Sequence, residues 1–327
     1  MAETANIAKI AELVADKVFP IFKWQKTGSG NQNWSCEKQE QHEVKTHPSD
    51  TVMFYDEPYS VSRTYVNFDL KSYKRGSITA GAITSAALSL AKSLECAEIS
   101  ENWRKKYTHE DVTVNIVGVL FVYNHDGEYD KDFDSVLATI KPEELKVPSG
   151  SRIVILGPRQ IFWLNNVRHE IVAMRGENPK QLPDDTDCRF YYPELVRKKK
   201  VQRDLATSAT LEMLTSPWIT LEFGEKGSPQ FGYVIFYRRR GESAEEFLYL
   251  LDYLTHYQMV DKGVSIKLRL LDPHPNAPAN FKRAIHEYVD VYEGGESMAT
   301  LLNAIEYQSM TSIVTKFSEI EIGMFHA

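Results

Sequence analysis

A chain of 327 residues is long for one core, so two domains are expected. Its 43% hydrophobic and 25% charged content excludes a fibrous or wholly disordered chain, and a net charge of −7 excludes a uniformly basic coat for holding phosphates. Any contact with nucleic acid must therefore come from a local basic groove.

Ile7, Ile10, Ala11, Val14 and Val18 recur at helical spacing, which predicts an amphipathic helix over 6–19 ending near Pro20. The glycine-rich TGSGNQNW is expected to be a loop, with a weak strand within 34–45. Residues 51–56 and 63–73 carry Val, Phe, Tyr and Thr on either side of Asp56-Glu57-Pro58-Tyr59, the pattern of a hairpin. ITAGAITSAALSLAKSLECA predicts a helix whose small residues allow close approach to a sheet. The near-continuous apolar run VTVNIVGVLFVY suits a central strand, Arg152–Leu156 a second short one, and Pro158 the first residue of a helix to about Ala173.

From 176 to 190 the composition turns polar and proline-rich, so the domain boundary is placed there, giving 1–178 and 179–327. The second part predicts a basic helix around Arg197-Lys198-Lys199-Lys200, strands near 218–223 and 231–238, and a helix over 243–258. The strand VSIKLRLLD and further helices follow. Cys36, Cys96 and Cys188 have no CxxC spacing, so neither a disulfide framework nor a zinc knuckle is expected, and a reducing cytoplasm fits. The first residues lack the order of a signal peptide and no apolar run reaches membrane-spanning length, so the expectation is a soluble cytoplasmic protein without membrane contact.

Three stretches match [DE]xK: Glu43-Val44-Lys45, Asp69-Leu70-Lys71 and Glu144-Leu145-Lys146. The last lies in a polar, proline-bounded connection, and Glu43 stands where a strand is expected to end. Asp69 sits in a well-marked strand, where alternation puts Asn67, Asp69 and Lys71 on one face and Phe68 and Leu70 on the other. A hairpin centred between Tyr59 and Ser60 puts Asp50 opposite Asp69, close enough for the two carboxylates to repel. A divalent cation offsets that repulsion, and hard oxygen ligands suit Mg²⁺ or Mn²⁺. Lys71 would reach the same space to position water or steady charge on phosphorus. The competing reading is an exposed strand end with an ordinary Asp–Lys pair.

PSD50, a hairpin strand and then DLK71, within the order helix, strands, helix, strand, resembles the PD-(D/E)XK, or restriction-endonuclease-like, nuclease superfamily over residues 5–175. The fold class this implies is α/β, a mixed sheet flanked by helices, joined here to a second, smaller α/β domain. The resemblance implies that Asp50 and Asp69 are metal carboxylates, Lys71 the catalytic lysine and Leu70 a donor of its backbone carbonyl to the metal. A first-helix glutamate, here Glu12, is a further catalytic candidate. PSD replaces a strict PD, and no QxxxY element follows the DLK strand, which leaves the subfamily unassigned.

The function expected is Mg²⁺- or Mn²⁺-dependent phosphodiester hydrolysis, in DNA ahead of RNA, as the cutting component of a bacterial antiviral defence or restriction system. Lys198, Lys199, Lys200 and Arg203, with Arg238-Arg239-Arg240 elsewhere, are candidate phosphate contacts, against their reading as solvated charge. Residues 179–327 are expected to serve a protein partner or homo-oligomer. The alternatives are an inactive nuclease-fold interaction subunit and a nucleotide or small-ligand sensor. No P-loop and no GxSxG elbow is present.

Overall fold

The computed structural model describes residues 2–109, 112–193 and 206–314, with side chains from residue 9 onward. The chain divides into two compact units, the first built chiefly from Met1–Phe162 and the second from Trp163–Lys199 and Thr207–Ile313. The basic run containing Lys198, Lys199, Lys200 and Arg203 lies outside the described residues.

In the first unit, helix α1 (Ala2–Val18) stops where Pro20 enters a 3-10 turn over Phe19–Phe22. Proline cannot donate the next helical hydrogen bond. Strand β1 (Gln25–Thr27) follows, then β2 (Gln32–Ser35), a single helical turn α2 (Gln39–His42) and β3 (Thr46–Ser49). The weak strand expected within 34–45 is therefore not one strand. β2 and β3 pair antiparallel as a separate ribbon, and the polar segment between them coils instead. Glu43 does not end a strand either, because it closes α2 in the left-handed region with φ 57°.

The hairpin β4 (Thr51–Asp56) and β5 (Ser62–Tyr73) forms as its pattern predicts, with Thr51 opposite Phe68 and Asp56 opposite Arg63. Helices α3 (Ala80–Ala97) and α4 (Glu101–Tyr107) lead to β6 (Thr113–Asn124). Two short helical segments, α5 (Phe133–Leu137) and α6 (Pro142–Leu145), precede β7 (Ile153–Leu156) and α7 (Pro158–Gly176). The sheet order is β1-β4-β5-β6-β7, antiparallel across its first two pairs and parallel across its last two.

Alternation along β5 and β6 sorts the core by face. Phe68 and Phe121 point to the face covered by the first helical segment, where both meet Phe19, at 4.9 and 6.0 Å between ring centroids. Burying each such ring contributes roughly 2 kcal/mol. Val52, Phe54, Tyr65, Leu120 and Val122 point the other way and pack with Ile83, Leu90 and Leu94 of α3. Gly118 permits that approach, since a Cβ there would come within 2.9 Å of Leu94.

The second unit takes α7 from Trp163 onward and contains β8 (Cys188–Phe190), α8 (Leu211–Thr215), β9 (Trp218–Phe223), β10 (Gly232–Tyr237), α9 (Ala244–His256), β11 (Ser265–Leu271), α10 (Ala277–Val291), α11 (Gly295–Asn303) and β12 (Glu306–Met310). Its five-stranded order from the other end, β8-β9-β10-β11-β12, is again antiparallel for two pairs and parallel for two. The core gathers Phe247, Leu250, Leu251, Leu254, Phe281 and Ile285 from the helices onto Ile235, Leu268 and Leu270 of the sheet. Both units thus follow a hairpin with a helix and a parallel strand.

Candidate active site

The β4–β5 register carries one step past Thr51–Phe68, so Asp50 lies opposite Asp69, and the Asp50 amide donates to the Phe68 carbonyl at 3.3 Å. Asp50 and Asp69 share the α3 face with Asn67, whose side-chain amide donates to Ser93 of α3 at 3.2 Å. The Asp50 carboxylate accepts the Leu70 amide at 2.7 Å, which fixes its direction along the strand end. Lys71 Nζ lies 2.5 Å from Asp69 Oδ1. Pro48, Asp50, Phe68, Asp69, Ser89, Leu90 and Ser93 line a small pocket at this point.

Burial raises the pKa of Asp50, the Leu70 amide opposes the rise, and the neighbouring charge of Asp69 adds to it. Burial likewise raises Asp69, against the opposing pull of Lys71. Burial would lower Lys71, yet Asp69 and Asp50 outweigh it and leave its pKa raised, so the ammonium keeps its proton at neutral pH. The two carboxylates are therefore under strain that added positive charge relieves. Their hard oxygen atoms suit Mg²⁺ or Mn²⁺.

Glu12 of α1 comes to the same neighbourhood. Asn31 bridges it, donating its backbone amide to the Asp50 carbonyl at 2.8 Å and its side-chain amide to Glu12 at 3.3 Å. The Glu12 charge adds to the rise in the Asp50 pKa, while Lys26 lies 3.9 Å from its carboxylate. Gly30 must lack a side chain here, because a Cβ would stand 2.8 Å from the Asp50 carbonyl oxygen and 3.7 Å from Glu12.

The two other [DE]xK matches stay outside the group. Lys45 is exposed, and Glu43 turns in the left-handed region. Glu144 pairs with Lys141 at 2.9 Å, and Lys146 is exposed after α6. Asn124, Asp126 and Gly127 form the expected turn, with Asn124 donating to Asp126 at 2.6 Å.

The same register exists in the second unit with different chemistry. Its hairpin pairs Trp218 with Tyr237 as the first pairs Thr51 with Phe68. Pro217 and Arg238 therefore stand where Asp50 and Asp69 stand, and Arg240 where Lys71 stands. That strand end offers no carboxylate pair, and Arg238, Arg239 and Arg240 are exposed.

Asp50, opposite Asp69, was found through hairpin register. Missed by sequence reasoning was the convergence of Cys36, His42, His47 and Cys96 in the first unit, all buried, with one donor atom of each within 4.8 Å of the others. Cysteine spacing alone does not reveal this group, because its four residues lie in separate segments of the chain.

Among the described residues no helix is long and apolar enough to cross a membrane. Comparison with curated proteins and with solved structures gave no match. Residues 1–160 match the family model described as the GAPS4 protein PD-(D/E)XK nuclease domain. With the mixed sheet and the Asp50–Asp69–Lys71 group in place, residues 1–160 are a nuclease domain of the PD-(D/E)XK superfamily.

Proposed function

We propose that the chain hydrolyses phosphodiester bonds in DNA, using Mg²⁺ or Mn²⁺ held by Asp50 and Asp69. The observation that carries this reading is the placement of those two carboxylates, both raised in pKa, opposite each other one step beyond the β4–β5 pairs, with Lys71 against Asp69. A bound divalent ion supplies charge neutralisation at the phosphate. Leu70 aims the Asp50 carboxylate through its amide, and its backbone carbonyl is a further candidate ligand. Lys71, held protonated, acts as a charged donor that orients water or a phosphate oxygen rather than as a base. Glu12 completes the acidic edge beyond Asn31.

Residues 179–327 serve in this reading as an accessory domain for substrate access or a protein partner. Cleavage of foreign DNA in a bacterial defence or restriction system, in the cytoplasm, is the setting we assign, on the strength of the nuclease family alone.

The test incubates the full chain with supercoiled plasmid, linear duplex, single-stranded DNA and RNA, with Mg²⁺ or Mn²⁺ added or omitted. Cleavage of DNA only in the presence of added ion supports the reading. Undiminished cleavage without the ion overturns the mechanism, and inertness on every substrate favours the interaction-subunit reading.

Charge at the strand end also bears on stability. Asp50 and Asp69 hold their protons more tightly folded than unfolded, so their contribution is stabilising below the ordinary carboxylate pKa and is lost as pH rises through the raised values. In buffer without divalent ions, Asp50→Asn should therefore melt above the wild type at neutral pH, and the gap should close on acidification. Scanning calorimetry at the two pH values checks it, and a variant that melts lower at neutral pH contradicts it.

For the basic run, changing Lys198, Lys199 and Lys200 to Ala should weaken DNA binding and reduce the salt slope of affinity by roughly 1 for each phosphate that is no longer neutralised. Arg203 should behave in the same way. Fluorescence anisotropy across a salt series measures the slope, and an unchanged value returns the run to solvated charge.

A further inference from the structure

Four donor side chains away from the carboxylate pair converge in the first unit. Cys36 follows β2, His42 ends α2, His47 lies in β3 and Cys96 lies in the last turn of α3. All four are nearly inaccessible, at 3%, 2%, 3% and 0% exposure. Cys36 Sγ is 3.6 Å from Cys96 Sγ, and His42 Nδ1 is 3.4 Å from each sulfur. With Zn–S near 2.3 Å and Zn–N near 2.05 Å, a tetrahedron has edges of about 3.8 Å between sulfurs and about 3.6 Å from sulfur to nitrogen. The three observed edges agree with those lengths to within about 0.2 Å.

The surroundings match a metal centre as well. His42 Nε2 lies 2.9 Å from the Glu95 carboxylate, leaving Nδ1 toward the sulfurs, the arrangement in which a carboxylate fixes a ligating imidazole. Lys38 pairs with the same carboxylate. His47 Nε2 is buried with no hydrogen-bond partner, a costly state for a polar atom unless it binds something else. Two thiolates cancel the charge of a divalent ion, so the loaded centre is neutral and tolerates its burial. Sulfur and imidazole donors in a tetrahedron select zinc over magnesium.

We propose that Cys36, His42, His47 and Cys96 form a structural zinc site that fastens the β2–β3 ribbon to α3. Loading deprotonates the two thiols and releases two protons to solvent. The fastening matters to its neighbour in sequence, because β3 ends at Ser49 and the chain runs directly into Asp50. Trp34 of β2 donates to Ser49 at 3.1 Å, tying the same ribbon to that junction. This site does not depend on the nuclease reading.

The test is metal analysis of the full chain, purified from zinc-supplemented cells without chelator. About one zinc ion per chain is expected. Cys36→Ser and His47→Ala should each lose it, whereas Cys188→Ser, which changes the remaining thiol, should retain it. Because the ligand variants bear on folding, the wild type is also stripped and titrated with Co²⁺ while circular dichroism follows its secondary structure. Intense visible bands of tetrahedral thiolate–cobalt, displaced by one equivalent of zinc, are expected. Zinc removal should also lower the melting temperature by several degrees. A zinc-free wild type that gives no cobalt bands overturns the site, as does stoichiometric iron or a Cys36–Cys96 disulfide found by mass spectrometry in place of metal.

Discussion

Alanine at Asp69 or Lys71 is expected to slow phosphodiester cleavage by about 10³-fold or more, with the melting temperature kept within a few degrees of the wild type. Packing around this end of β5 rests on Phe68, which meets Phe19 and Trp24, and on Tyr65 against α3, rather than on the Asp69 and Lys71 side chains, which pair with each other. Asp50→Ala should fall as far as Asp69→Ala, since either loss dismantles one site and the effects are not additive. Lys45→Ala and Lys146→Ala serve as controls and should cut at the wild-type rate, because both side chains are exposed outside the group. Initial rates measured beside dichroism melts separate chemistry from folding. A dead Lys45→Ala beside an active Lys71→Ala would move the catalytic lysine to the earlier match.

The second large effect belongs to the second unit and concerns stability. Arg269 of β11 has a fully buried side chain, 3.3 Å from the Glu170 carboxylate and 2.6 Å from that of Glu306, and it also donates to Gln181 at 2.9 Å. Burial raises the Glu170 pKa and Arg269 opposes that rise. Arg269→Ala removes the cation, leaves a largely buried carboxylate uncompensated and opens a large void, so a loss of roughly 3–5 kcal/mol is expected. Denaturant unfolding measures it. A loss under about 1 kcal/mol would mean that water already solvates the group.

The contrast between what was legible and what was not has a physical basis. The β4–β5 hairpin announced itself because β-branched and aromatic residues alternate around a proline turn, and the turn centre alone fixed the register that pairs Asp50 with Asp69. β6 was legible as a continuous apolar run, and α7 through Pro158 at its start. The β2–α2–β3 segment was not, since QNWS, QEQH and THPS are short, polar and without period. Their order comes from side chains such as Trp34 and His47 that meet partners distant in sequence. β12 was missed for a similar reason, because EYQSM lies at a sheet edge and buries only its last residue. Short-range pattern reports secondary structure, whereas a cluster drawn from four separate segments exists only after folding.

Chelation alone cannot separate a catalytic ion from a structural zinc, because one reagent removes both. The direct test is a calorimetric titration of Mn²⁺ into the zinc-loaded chain, repeated with Asp50→Asn and Asp69→Asn. Saturable binding by the wild type that disappears in both variants, while their zinc content is unchanged, is the result expected of a carboxylate pair built to hold a divalent ion. Equal Mn²⁺ binding in all three proteins, or none in the wild type, would contradict the assignment of Asp50 and Asp69 as the metal site.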